Sequence, residues 1–333
     1  MKRVLIIHTG GTFGMTPAEP DKTLQPGKIE RHLDEYIPSI RELAEITIKI
    51  PFNLDSSNMG PYEWKRLYTL IRAEMNDYDG MVIIHGTDTL VYSAAALSFL
   101  LLDLKKPLIL TGAQRPLSAL RSDARGNLIN SVELATYDIP EVLICFGNKL
   151  FRGNRTKKVS IESFQSFDSP NYPPLATIGL GVHLNSHYIL REKQSLPLKP
   201  VFDSGILSLR LFPGLKAEIF LPLLNERLRA VVIDGFGAGN LPAVTDEWFD
   251  FIALARQMDK LVFVGSQSAH GRSDLSLYAA GRLAQKAGAS SLTDMTREAA
   301  LVKLMLLLGN MPDQDRVLHY MLSPLAGESG ETD

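Results

Sequence analysis

The sequence predicts an α/β protein made of two α/β domains: a larger N-terminal one with a mainly parallel sheet and a smaller C-terminal one with a parallel sheet of its own. Three observations carry this reading. Apolar runs of strand length recur along the chain, each bounded by Gly, Pro, Asp or Asn, and stretches of helical period separate them. Strand–helix alternation of this kind implies parallel strands covered by helices on both faces. The periodicity then lapses between residues 190 and 200, in "LREKQSLPLKP", and resumes beyond it. A length of 333 residues suits two domains. The chain is accordingly divided into an N-terminal domain over 1–190, a linker over 191–204 and a C-terminal domain over 205–333.

Element by element, strands are expected at 3–8, 46–50, 80–84, 107–111 and 141–146. Trp64, Leu67, Tyr68, Ile71 and Met75 recur at helical spacing and mark one buried stripe. A second helix fits 88–103, with Asp88 placed to cap it, and a third fits 121–137. Beyond the linker, "GILSLRLF", "RAVVIDGFG" and "KLVFVGS" read as strands, and helices fit 214–225, 245–258, 274–287 and 294–309. The last stretch, "PLAGESGETD", is polar and reads as a frayed tail.

Composition narrows the function. Hydrophobic residues at 45% rule out a disordered chain. A net charge of −2, with short and isolated basic groups, is no nucleic-acid footprint. The longest apolar stretch, "AAALSFLLLDL", is too short for a bilayer. The N-terminus lacks the pattern of a signal peptide, so a cytoplasmic protein is expected. The single cysteine, Cys145, sits in the apolar run "EVLICF" and reads as a buried thiol.

In parallel α/β sheets ligands bind beyond the carboxyl ends of the strands. The segments that follow the first four strands are "HTGGTFG", "NLDSSNM", "HGTDT" and "TGAQRP". Hydroxyls and exposed backbone N–H groups would therefore meet along one sheet edge. A phosphate cradle is one reading of the glycines, but neither G-x-G-x-x-G nor G-x-x-x-x-G-K-[ST] occurs. The other reading makes Thr12 a nucleophile on a tight turn, with Gly10 and Gly11 allowing a substrate to approach the backbone. A threonine hydroxyl needs a group to take its proton. "HGTDT" supplies Thr87 and Asp88, and "RGNRTKKVS" supplies Lys157 and Lys158.

Together "TGGTFGM" and "HGTDT" resemble the two threonine signatures of the L-asparaginase family. The likeness extends through "LDSSNM", "TGAQRPLSALRSD", "RGNRTKK", "GFGAGNLP" and "DMTREAALVKL", and it follows the bacterial type I, cytosolic branch. It implies hydrolysis of L-asparagine to L-aspartate and ammonia through an acyl-threonine on Thr12. Thr87 would lie against the scissile amide, Asp88 would pair with the substrate ammonium, and Lys158 would be the catalytic lysine. Asp55, Ser56 and Ser57 match the substrate-holding segment, and the Ala113 carbonyl matches the acceptor for the substrate amide. Many relatives carry a tyrosine in the loop after the nucleophile. Here that loop has none, and Lys22 falls near the position. Its prolines and glycines suit a lid that orders on closure.

The family further implies homotetramers built from close dimers, with the small domain of one chain facing the catalytic loops of another. Asn240, in the glycine-rich turn "GFGAGNLP", is the candidate substrate-binding residue offered to that neighbour, the alternative being that it only closes a turn. His8 and His85 are expected to orient the loops they precede. His183 and His187, at i,i+4, lack the glutamate of a zinc motif. No metal or organic cofactor is implied. Two other readings fit the fold: the ammonia-generating subunit of a tRNA-dependent amidotransferase, and a non-catalytic amino-acid sensor.

Overall fold

The computed structural model describes residues 1–18, 23–26 and 35–330. Two compact units are present, one over 1–200 and one from 201 onward.

The first unit contains strands β1 (Arg3–His8), β2 (Met15–Ala18), β3 (Thr23–Pro26), β4 (Glu45–Lys49), β5 (Gly80–Ile84), β6 (Leu108–Thr111), β7 (Val142–Phe146), β8 (Lys149–Arg152), β9 (Lys157–Lys158), β10 (Phe167–Asp168), β11 (Ala176–Ile178) and β12 (Val182–Leu184), with helices α1 (Pro61–Glu74), α2 (Leu90–Leu100) and α3 (Ala124–Leu134). Its main sheet runs β12-β11-β8-β7-β6-β5-β1-β4. The five strands from β4 to β7 are parallel, and β8, β11 and β12 add an antiparallel edge. Side chains alternate between the faces. Val4, Ile6, Val82 and Ile84 join the core under α3, whereas Leu5, Ile7, Met81 and Ile83 pack with Leu67 and Ile71 of α1 and with Val91, Ala94 and Leu97 of α2. Burial on both faces is why these strands read as unbroken apolar runs.

The second unit is a four-stranded parallel sheet, β13 (Ile206–Arg210), β14 (Ala230–Gly235), β15 (Leu261–Ser266) and β16 (Ala289–Ser291), paired in chain order. Helices α4 (Glu247–Gln257), α5 (Ala279–Lys286), α6 (Arg297–Asn310) and α7 (Gln314–Leu322) accompany it. Val231, Ile233, Val262 and Val264 share a core with Trp248, Phe251 and Ile252 of α4.

Several expectations are corrected. Residues 217–223 form a 3-10 helix rather than an α-helix over 214–225, and they contain Pro222, which has no N–H to donate. Helix α5 begins at Ala279, because the Asp274 carboxylate accepts from the Ser276 N–H and hydroxyl and holds 274–276 in a local turn. Asp88 does not cap α2: Thr89 occupies that position, and no side-chain bond closes the cap. The C-terminal stretch is not frayed over its described part, since Leu325, Ala326 and Glu328 are buried. Cys145 is buried, and burial pushes its thiol up to about 12. Among the described residues no helix is long and apolar enough to cross a membrane.

Candidate active site

Counting only its parallel strands, the large sheet has the order 2-1-3-4-5, so the connections leaving β1 and leaving β5 run in opposite directions from the β1/β5 boundary. A crevice opens at such a reversal. The two threonine motifs follow these two strands. After β1 the turn through Gly10 and Gly11 has φ of 116° and 83°, a region favouring glycine. It is also crowded. A Cβ on Gly11 would lie 2.4 Å from Gly86 Cα, and one on Gly10 would lie 2.2 Å from Leu54 O. Backbone bonds lock the contact: Thr9 N donates to Ile84 O at 3.0 Å, Gly11 N to Leu54 O at 3.2 Å, and Leu54 N to Thr9 O at 2.9 Å. Thr12 then opens a short 3-10 turn, half-buried, directly beyond the glycines.

The second motif carries the charges. Lys158 Nζ donates to Thr87 Oγ1 at 2.9 Å and to Asp88 Oδ1 at 2.7 Å. Lys158 lies on the β9–β10 hairpin, about seventy residues further along, and its side chain is 16% exposed against 64% for Asp88. Ser56 fastens the next loop to this one. Its hydroxyl accepts from Asp88 N at 3.3 Å, and its carbonyl accepts from Thr89 Oγ1 at 2.6 Å. Asp55 accepts from the Ser57 hydroxyl and N–H, which hold its carboxyl below the usual range. Ala113 is buried beside Gly112, where an added Cβ would stand 2.3 Å from His85 O.

Thr12, Asp55, Ser56, Ser57, Thr87, Asp88, Ala113 and Lys158 thus belong to loops that meet around one strand-end crevice of the first unit. Asn240 belongs to the second unit, where its backbone closes a turn with Phe236 in both directions, at 2.7 and 2.9 Å. Lys22 lies outside the described residues. Among the described residues no cluster of three or more His, Cys, Asp or Glu could hold a metal ion.

Gln114 is a site neighbour that the sequence pattern does not single out. Its Nε2 donates to Ser166 Oγ at 2.5 Å and to Ser160 O at 3.3 Å, both in the hairpin that carries Lys158, while its Oε1 faces Thr87 Oγ1 at 3.5 Å. Asp123 fixes its backbone N–H. The only signal in the sequence is a polar residue following Gly112-Ala113 at a strand end. His85 does bond its own loop, through Gly86 O at 2.7 Å.

Two family models match the chain: "Asparaginase, N-terminal" over residues 3–190 and "Glutaminase/Asparaginase C-terminal domain" over 206–321. L-asparaginase 1 of Escherichia coli is 36% identical over 333 residues, covering 98% of each chain. A glutamyl-tRNA(Gln) amidotransferase component from Pyrococcus horikoshii is 34% identical, over 98% of this chain and 76% of its own. The crystal structure of L-asparaginase I from Vibrio cholerae superposes with a TM-score of 0.89 at 36% identity, covering 99% of both chains. With both halves matched in order and a relative aligned end to end, the chain belongs to the asparaginase family.

Proposed function

We propose that this chain hydrolyses L-asparagine to L-aspartate and ammonia, with Thr12 as the nucleophile. The observation that carries the reading is the Lys158 ammonium held between the Thr87 hydroxyl and the Asp88 carboxylate, beside the turn that presents Thr12. In the first step the Thr12 oxygen forms a bond to the side-chain amide carbon. The C–N bond breaks, and the proton lost by Thr12 leaves with the nitrogen as ammonia. In the second step water adds to the acyl-threonine, the C–O bond breaks, and aspartate departs as Thr12 regains a proton. Thr87 and Lys158 form the proton route, with Asp88 holding Lys158 and facing the substrate ammonium. Asp55, Ser56, Ser57 and the Ala113 carbonyl hold the remaining polar groups of the substrate. The Gly11 N–H donates to Leu54 O, which ties the nucleophile turn to the neighbouring loop.

In this proposal the chain works in the cytoplasm as a homotetramer built from close dimers, and Asn240 completes the site of a neighbouring subunit. The test is ammonia release from L-asparagine by the purified chain with no other protein or tRNA present. Thr12→Ala should fold normally and lose about a thousandfold or more in kcat. Near-native turnover in that variant would overturn the nucleophile assignment.

A further inference from the structure

Beneath the two threonine turns lies a string of uncharged, buried hydrogen bonds that no step of the reaction uses. The Trp64 indole N–H on α1 donates to Ser93 Oγ on α2 at 3.0 Å. Ser93 Oγ stands 2.9 Å from His85 Nε2, and His85 Nδ1 stands 2.7 Å from Gly86 O. Trp64, His85 and Ser93 are each at most 4% exposed. For a neutral imidazole the donors and acceptors leave one consistent arrangement. A carbonyl oxygen only accepts, so Nδ1 carries the imidazole hydrogen, and Nε2 of the neutral ring then has only a lone pair. An indole N–H only donates, so the Ser93 oxygen receives it and turns its own hydrogen toward Nε2. Every polar atom in the string is satisfied in that state.

We infer that Ser93 and Trp64 are positioning residues that act through His85: they fix its Nδ1–H tautomer, and the resulting bond to Gly86 O sets the spacing between the Thr87 turn and the Thr12 turn. Gly86 is where this matters. It packs against Gly11 closely enough that a Cβ on Gly11 would meet its Cα at 2.4 Å, and a Cβ on Gly86 itself would meet Ser56 Oγ at 2.6 Å. Rotating the Gly86 peptide therefore moves the nucleophile turn, the Ser56 loop and Thr87 relative to one another. Burial supports the neutral ring, pulling its pKa from 6.5 to about 4, with only the Gly86 carbonyl acting in the opposite direction. The inference rests on the acyl-threonine reading for its catalytic consequence, and on geometry alone for the tautomer.

The experiment is nitrogen NMR of the full chain labelled with 15N-histidine, assigned by comparison with His85→Asn. The expected result is a His85 ring protonated at Nδ1 with a bare Nε2, still neutral a unit above its pKa. Ser93→Ala removes the donor to Nε2. It should lose that signature and lower kcat about tenfold with KM held within about twofold, since a displaced catalytic group weakens the transition state more than substrate binding. His85→Asn keeps an N–H near the Nδ1 position and should retain more activity than His85→Ala. A wild-type ring protonated at Nε2 overturns the inference, as does wild-type kcat in Ser93→Ala. The tautomer is read on the wild-type chain, so a variant that fails to fold leaves the decision intact. It also needs no turnover, so absent ammonia release would count against the catalytic reading alone.

Discussion

Lys303→Met tests how the end of the chain is held. Lys303 on α6 and Glu328 are 1% and 0% exposed, with Nζ 2.5 Å from Oε1. The ammonium has three donor directions, and each finds an acceptor: Glu328, Ser323 O at 2.7 Å and Met321 O at 3.2 Å. Glu328 also accepts the N–H groups of Leu325 and Ala326. Burial nevertheless pushes the Lys303 ammonium below its usual range, outweighing the carboxylate that raises it. The pair is therefore costly to bury and more costly to break. Methionine would leave a buried carboxylate without its counter-charge and two carbonyls without donors, a loss of about 3–5 kcal/mol. That is a large share of a typical folding free energy of roughly 5–15 kcal/mol. Lys303→Met/Glu328→Gln removes both charges while leaving an acceptor for the two N–H groups, and most of the loss should be recovered. Urea unfolding gives the stabilities, and hydrogen exchange at Leu325 and Ala326 reports the clasp directly. A cost below about 1 kcal/mol for the single change would refute the reasoning, as would a double variant no more stable than the single one.

Lys158→Met should lower kcat about a hundredfold to ten-thousandfold by removing the proton route, with Lys157→Met far milder; ammonia release at saturating asparagine checks it, and the reverse order would shift the assignment by one residue. His85 gives a pH signature. The unfolded chain takes up its proton near pH 6.5 and the folded chain only near 4, so stability falls as pH drops through that window and levels off below it. Its share is about 3 kcal/mol at neutral pH, and the slope should flatten in His85→Asn on denaturant titration between pH 7 and 4. Mixing inactive Thr12→Ala and Asn240→Ala chains should restore ammonia release if Asn240 serves a neighbouring subunit. No recovery despite demonstrated exchange of chains would place Asn240 outside that role.

The parallel strands are legible because burial on both faces leaves unbroken apolar runs such as Val4–Ile7 and Met81–Ile84. Strands β8, β11 and β12 are not, since they have three or four residues, and Lys149 and Arg152 in β8 and His183 in β12 break their apolar character. Residues 214–225 have helical periodicity, yet Pro222 interrupts the bonding an α-helix needs. Local spacing puts Asp88 at a helix cap, but its partner Lys158 is seventy residues away, a distance no window of sequence spans. The motifs name the loops, whereas their convergence depends on strand order, which places β1 beside β5. Helical spacing marks Trp64 for its apolar ring alone. Its N–H becomes informative only with Ser93 opposite it.

The same chain uses a lysine–carboxylate pair in two opposite ways, and burial separates them. Lys303 and Glu328 are sealed, so a change of charge on either strands the other in a medium that solvates it poorly. Such a pair can hold a tail in place. In the Lys158–Asp88 pair the lysine is 16% exposed and the carboxylate 64%, so water reaches Asp88 and screens the pair. The proton-carrying role proposed for Lys158 needs that access to water. The spacing of the two threonine turns is set from below, where the string from Trp64 to Gly86 carries no charge. Substitutions should therefore separate cleanly: Lys158→Met changes turnover and leaves unfolding nearly unchanged, whereas Lys303→Met costs stability and leaves the kcat of the folded protein nearly unchanged.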